Sequence, residues 1–108
     1  MCRDLNSARS LCRVTEAEAS LLESVRRSIV LLEKKAPEDF ANLSDNRRLG
    51  VMLPYTPLHV LLLDGTSGGP DALVMTSANR SGCPVLIDND DALSALRGIA
   101  DGFLLHDR

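Results

Sequence analysis

Apolar positions along this chain change their spacing several times, and each change marks a boundary. The clearest helical stretch opens at Thr15-Glu16-Ala17-Glu18, a capping box in which hydroxyl and carboxylate satisfy each other's free amides. Val14, Glu18, Leu21, Leu22 and Val25 follow at the three-and-four spacing of one helix face, with Leu21, Leu22 and Val25 as its apolar stripe. Residues 1–13 show no clean period and read as a lead-in segment, a short strand or a turn. Ser28 leads into four consecutive apolar residues, 29–32, the pattern of a strand covered on both faces as in parallel sheets. Glu33-Lys34-Lys35 ends it, the two lysines reading as a solvated edge rather than a phosphate grip, and residues 36–48 read as a long loop with one helical turn near 38–42.

Leu49 to Leu53 form a second apolar run, halted by Pro54. Thr56 as N-cap and Pro57 at the first helical position predict a short helix, apolar on nearly every side over 58–63 and therefore buried. Residues 66–70 form a flexible loop, 71–76 a strand, and 84–87 a further extended segment. Asp88 to Asp91 supply an N-cap and acidic first turn for a helix through Leu96, with Gly98 as its stop, and 102–106 read as a closing strand. Such alternation predicts an α/β (α+β) fold, a twisted open sheet with helices packed on it.

Composition narrows the functional classes. The 108 residues suit one domain, and 44% apolar with 25% charged residues is the balance of an ordinary globular chain. Phe40, Tyr55 and Phe103 are the only aromatics, too few for a base-stacking platform. A net charge of -3 gives no global attraction to nucleic acid or anionic membranes, so any anion site must be local. The longest apolar runs fall far short of the roughly 20 residues that span a bilayer, and no signal peptide is visible, so a cytoplasmic location is expected. Cys2, Cys12 and Cys83 match no metal template and read as reduced thiols; no metal site is expected.

The stretch most suggestive of chemistry is Leu73 to Gly82. It begins as a buried-strand pattern and turns within one residue into Thr76-Ser77-Ala78-Asn79-Arg80-Ser81-Gly82. Ligands of open α/β sheets sit beyond the carboxyl ends of strands. Hydroxyl and amide donors there, a permanent cation at Arg80 and a glycine that lets the backbone bend suit an anion or nucleotide cradle. The same residues also suit a plain polar turn leaving a strand.

Three ordered segments, Leu49-Gly-Val-Met-Leu-Pro-Tyr-Thr-Pro-Leu-His59, Val74-Met-Thr-Ser-Ala-Asn-Arg-Ser-Gly82 and Ile99-Ala-Asp-Gly-Phe-Leu-Leu-His-Asp-Arg108, together resemble the YrdC-like domain of the hydrogenase maturation carbamoyltransferases HypF. The resemblance covers essentially the whole chain, with 15–35 similar to the helix and strand that precede the first motif. It implies a domain that binds ATP with Mg2+, takes carbamoyl phosphate as substrate and forms carbamoyl adenylate. In the complete protein a kinase-like domain then passes the carbamoyl group to the partner HypE, toward the cyanide ligands of nickel-iron hydrogenase. By motif match, Thr76, Ser77 and Asn79 are the nucleotide contacts, and Pro54, His59 and Arg80 are weaker candidates for substrate contact. No catalytic residue is assigned. His59 reads more readily as a hydrogen bonder at a helix start than as a base, and His106 as structural or pocket-lining.

Met52 bears on the branch of the superfamily. Relatives that make threonylcarbamoyl adenylate for tRNA modification carry Arg in the matching segment, suited to a threonine carboxylate, and a thioether cannot form that ion pair. Ser28, Val60 and Cys83 depart from the family pattern, standing where Pro, a second His and a charged residue are usual. The family's domain is nearly twice as long, and its threonine loop and basic triphosphate-gripping segment have no counterpart here. The chain therefore reads as a partial YrdC-like domain, residues 1–108 being its middle to C-terminal portion, inactive alone and able to self-associate through a sheet face that the missing half should cover. A tRNA-modification domain and a double-stranded RNA-binding module are the alternatives, the acidic balance opposing the latter.

Overall fold

The computed structural model describes residues 1–106, which fall into two units, Met1–Val74 and the segment from Met75 onward. In the first unit, Asp4 opens helix α1 (Leu5–Leu11) by accepting a hydrogen bond from the Ser7 amide at 2.7 Å. This corrects the expectation of a strand or turn over 1–13, since only Cys12–Arg13 (β1) is strand. The residues α1 buries are the small Ser7 and Ala8, which print no apolar period.

Helix α2 (Glu16–Glu23) carries the predicted capping box: the Thr15 amide donates to Glu18 at 2.8 Å and the Glu18 amide to Thr15 Oγ1 at 3.3 Å. Its inward face is Ala19 and Leu22, so Leu22 is the one member of the expected stripe that is buried. Leu21 is half exposed, and Val25, past the helix end, is 98% exposed.

Strands β2 (Val30–Lys34) and β3 (Arg48–Val51) join β1 in a sheet of order β1-β2-β3. Both pairings are antiparallel, with Cys12 opposite Lys34, Leu32 opposite Leu49 and Val30 opposite Val51. The expected parallel strand covered on both faces is thus corrected. Leu32 and Val51 point into the core with Cys2, Ala8, Cys12, Leu22 and Leu53, while Ile29 and Leu31 lie exposed on the other side. The fold class is α+β, with helices on one face of a small antiparallel sheet.

Residues 1–3 run antiparallel to 71–73. The Leu73 amide donates to Met1 O at 2.8 Å and the Arg3 amide to Asp71 O at 2.8 Å, while Cys2 N reaches Met52 O at 3.0 Å. The strand expected over 71–76 is therefore only an isolated bridge, Cys2 to Ala72. Helix α3 (Pro57–Leu62) starts as predicted, with Thr56 accepting from the His59 amide at 3.2 Å and Pro57 in its first turn. It is not buried: Leu61 is 72% exposed, and the apolar residue that reaches the interior is Leu63, just beyond the helix. A 3-10 turn at Pro37–Phe40 fills the place of the expected helical turn.

In the second unit, Asp88 caps helix α4 (Asn89–Ala95) by accepting from the Asp90 and Asp91 amides, and Gly98 follows with φ 82°. Residues 84–87 run outside any strand, and the closing strand expected over 102–106 is absent among the described residues. A strand needs a partner ladder, and neither apolar run meets one there. None of the described residues from Met75 onward is buried.

Candidate functional site

The loop that carries Thr76, Ser77 and Asn79 is held by its own polar groups. Ser77 Oγ donates to Asn79 Oδ1, and Asn79 Nδ2 donates to the carbonyls of Arg80 and Cys83, each at 3.0 Å. The Cys83 amide returns to Arg80 O at 2.9 Å, closing a turn whose third residue, Gly82, sits at φ 77°. That conformation is costly for any residue with a Cβ. The Leu86 amide donates to Ala78 O at 2.9 Å, and Arg80 Nε donates to Ala95 O at 2.8 Å, tying the loop to the C-terminal end of α4.

This bonding decides what the loop can offer a ligand. Both amide hydrogens of Asn79 are engaged, so Asn79 shapes the turn, and the Ser77 hydroxyl hydrogen is spent on Asn79, leaving its oxygen as an acceptor. Thr76, Ser77 and Arg80 are exposed; the Thr76 hydroxyl and the Arg80 Nη groups have no partner among the described residues and are the donors free for an anion. The loop from 76 to 83 holds no carboxylate, so hydroxyl, amide and backbone carbonyl oxygens are the groups it could offer a cation. No cluster of His, Cys, Asp or Glu suited to a metal exists among the described residues.

Pro54 and His59 belong to the first unit. The His59 imidazole stands edge-on to Tyr55, ring centroids 4.7 Å apart, with Nδ1 buried and without a hydrogen-bond partner among the described residues. The helix-start hydrogen bond comes from the His59 backbone amide, not the ring. Pro54 lines a cleft of about 510 Å3 with Arg3, Glu23, Arg27, Leu63 and Asp64. Arg3 is fully occupied there, donating to Leu63 O at 2.8 Å and Gly69 O at 2.7 Å and pairing with Asp71 at 2.8 Å. Asp64 is held below the usual carboxylate range by the Thr66 hydroxyl and amide and by Ser67.

Sequence reading missed two polar residues that the fold depends on. Arg3 looks like one charge among several in an unpatterned segment. Lys34, read as part of a solvated edge, is 3% exposed, with Nζ donating to Ser44 O at 2.5 Å. His106 is exposed, and its carbonyl accepts from Asn89 Nδ2 at 2.7 Å. Cys2 and Cys12 are free and buried and Cys83 is free and exposed; burial raises the first two thiols above their ordinary value.

A family model for Sua5, YciO and YrdC proteins, described as telomere recombination, matches residues 1–108. The chain belongs to the Sua5/YciO/YrdC family. Within it, the chain is 43% identical over 122 aligned residues to carbamoyltransferase HypF2 of Cupriavidus necator, a match covering all of this chain and 15% of that protein. It is 46% identical over 113 residues to carbamoyltransferase HypF of Rhizobium leguminosarum bv. viciae, again across the whole chain and 15% of the relative. A crystal structure of full-length HypF in a phosphate- and nucleotide-bound form superposes on 98% of this chain and 16% of its own with TM-score 0.83 and 43% identity. The chain therefore spans about 15% of the length of these HypF relatives and corresponds to part of their YrdC-like domain.

Proposed function

We propose that the chain is a segment of an ATP-dependent carbamoyltransferase that converts carbamoyl phosphate, water and ATP to carbamoyl adenylate, releasing phosphate and pyrophosphate, during nickel-iron hydrogenase maturation. The observation carrying this reading is similarity along the whole of this chain to a 15% segment of HypF proteins at 43% and 46% identity, together with a polar loop at the matching motif whose free donors face solvent. Thr76 and Arg80 supply donors to phosphate oxygens and Ser77 an acceptor, while Asn79 fixes the turn that presents them. Adenylate formation redistributes charge among phosphate oxygens, and fixed donors and a cation serve it by positioning. Bound ATP with Mg2+ supplies the phosphoryl electrophile and its counter-charge. Pro54 and His59 are proposed to contact the carbamoyl donor, and HypE with a kinase-like domain to receive the carbamoyl group in the complete protein.

Isothermal titration tests the reading. The isolated chain is expected to bind ATP and magnesium weakly or not at all and to form no adenylate. A full-length homologue carrying this segment in place of its own is expected to bind ATP and to lose affinity on Ser77→Ala, Asn79→Ala substitution. Equal, tight binding by that double variant overturns the assignment.

A further inference from the structure

The three-stranded sheet ends at β3, whose outer edge is open over a short length. The Lys34 amide donates to Arg47 O at 3.0 Å, and antiparallel alternation then turns the N–H and C=O groups of Arg48 and Gly50 away from β2. The next outward group, Met52 O, accepts from the Cys2 amide at 3.0 Å, so the edge is closed there and open from Arg48 to Gly50 among the described residues. Beside it the outer face of the sheet is apolar, with Ile29 and Leu31 exposed and no side chain at Gly50 to screen them. Segment 84–87 of the second unit has the complementary pattern. The Leu86 amide is spent on Ala78 O, whereas the N–H and C=O groups of Val85 and Ile87 make no hydrogen bond among the described residues. Val85 is exposed, Ile87 is 98% exposed, and Asp88, Asp90 and Asp91 follow directly.

We propose that this edge is an interface between two copies of the chain, in which residues 84–87 of one copy add to β3 of the other as an antiparallel fourth strand. Two outward positions two residues apart, Arg48 and Gly50, meet two unbonded positions of the same spacing, Ile87 and Val85. Charge sets the direction. Antiparallel pairing brings Asp88, Asp90 and Asp91 alongside Arg47 and Arg48, whereas parallel pairing carries them past Val51 toward Leu53. Paired residues share a face, so Val85 stands beside Gly50 and reaches over it to Ile29 and Leu31. A Cβ at Gly50 would lie 3.1 Å from Ile29 Cγ2 and take up that space. Exchange of the segment in both directions closes the pair on a two-fold axis and covers both open edges. The interface uses neither the Thr76 and Ser77 hydroxyls nor Arg80, so it does not depend on the nucleotide reading of the 76–83 loop.

The test is sedimentation velocity of the chain across a concentration series, with amide exchange at Gly50 and Ile87 read on the same samples. A monomer–dimer equilibrium is expected, with exchange at both amides slowing as the dimer forms. Ile87→Pro removes one donor at an exposed position, and Arg48→Gln removes the charge that meets the aspartates. Each is expected to weaken dimerisation roughly tenfold, while exchange at Leu32 stays slow and shows that the first unit is folded. Leu61→Glu, at an exposed apolar position of α3, is the control and is expected to leave dimerisation unchanged. A chain that stays monomeric at every concentration, a dimer that neither variant weakens, or equal weakening by Leu61→Glu overturns the proposal.

Discussion

Arg3 holds together three backbone segments that are distant in sequence, because its guanidinium reaches Leu63 O, Gly69 O and the Asp71 carboxylate at once. A lysine has one ammonium and no fork, so Arg3→Lys is expected to lower stability by about 2 kcal/mol, discounted for partial exposure and measured by urea unfolding. Gly69 is coupled to the same knot: a Cβ there would stand 2.7 Å from Asp64 O, so Gly69→Ala is expected to be destabilising as well. The cysteines differ by environment in the same way. Cys83 is expected to react with a maleimide reagent first, while Cys2 and Cys12, buried and with raised pKa, react only on unfolding; equal labelling of all three in the folded chain contradicts this. None of this shows in the sequence, where Arg3 has no period to belong to and Lys34 sits in a charged run; long-range bonds to carbonyls leave no local mark.

Elements were legible where their chemistry is local. Thr15 with Glu18, Thr56 with Pro57 and Asp88 before its acidic turn each satisfy helix-start amides through neighbours three residues away, and all three helices start where those residues predict. Burial is less legible, since an apolar run reads the same whether it faces the interior or solvent. Leu31 and Leu61 show otherwise: the sheet is covered on one side only, and α3 packs through the flanking Leu63. Thr15→Ala is expected to cost about 1 kcal/mol by thermal denaturation. The cap carboxylates also set a pH dependence. Asp4 is held below its ordinary range by the Ser7 amide, Glu18 by the Thr15 amide and hydroxyl, and Asp64 by Thr66 and Ser67. The folded chain thus binds fewer protons than the unfolded one as these groups titrate. Their contribution is complete above the ordinary carboxylate range near pH 4 and is lost as pH falls through the lowered folded values. Glu18→Gln and Asp64→Asn are each expected to flatten the acid limb of the melting-temperature profile.

At the scale of the molecule, the two units differ in what can hold them. The first buries Leu22, Leu32, Val51, Leu53 and Leu63 around a hydrogen-bonded sheet, and Leu22→Ala there is expected to cost about 3 kcal/mol. The second has no buried residue among those described, and its helix α4 has 7 residues, below the roughly 12 that an unsupported helix needs in water. Native-state amide exchange is therefore expected to be slow at Leu32 and at Val51 and close to the unstructured rate at Ala92 and Leu96, despite their helical hydrogen bonds. Protection at Ala92 equal to that at Leu32 contradicts this, because both would then open only in one cooperative event. If the contrast holds, any ligand of the 76–83 loop must offset the cost of ordering its surroundings, so the affinity it shows falls short of what its donors could provide. Phosphate added to the chain then reads out the second unit: capture by the 76–83 loop is expected to slow exchange at Ala92, and exchange there that phosphate leaves unchanged contradicts capture by the loop.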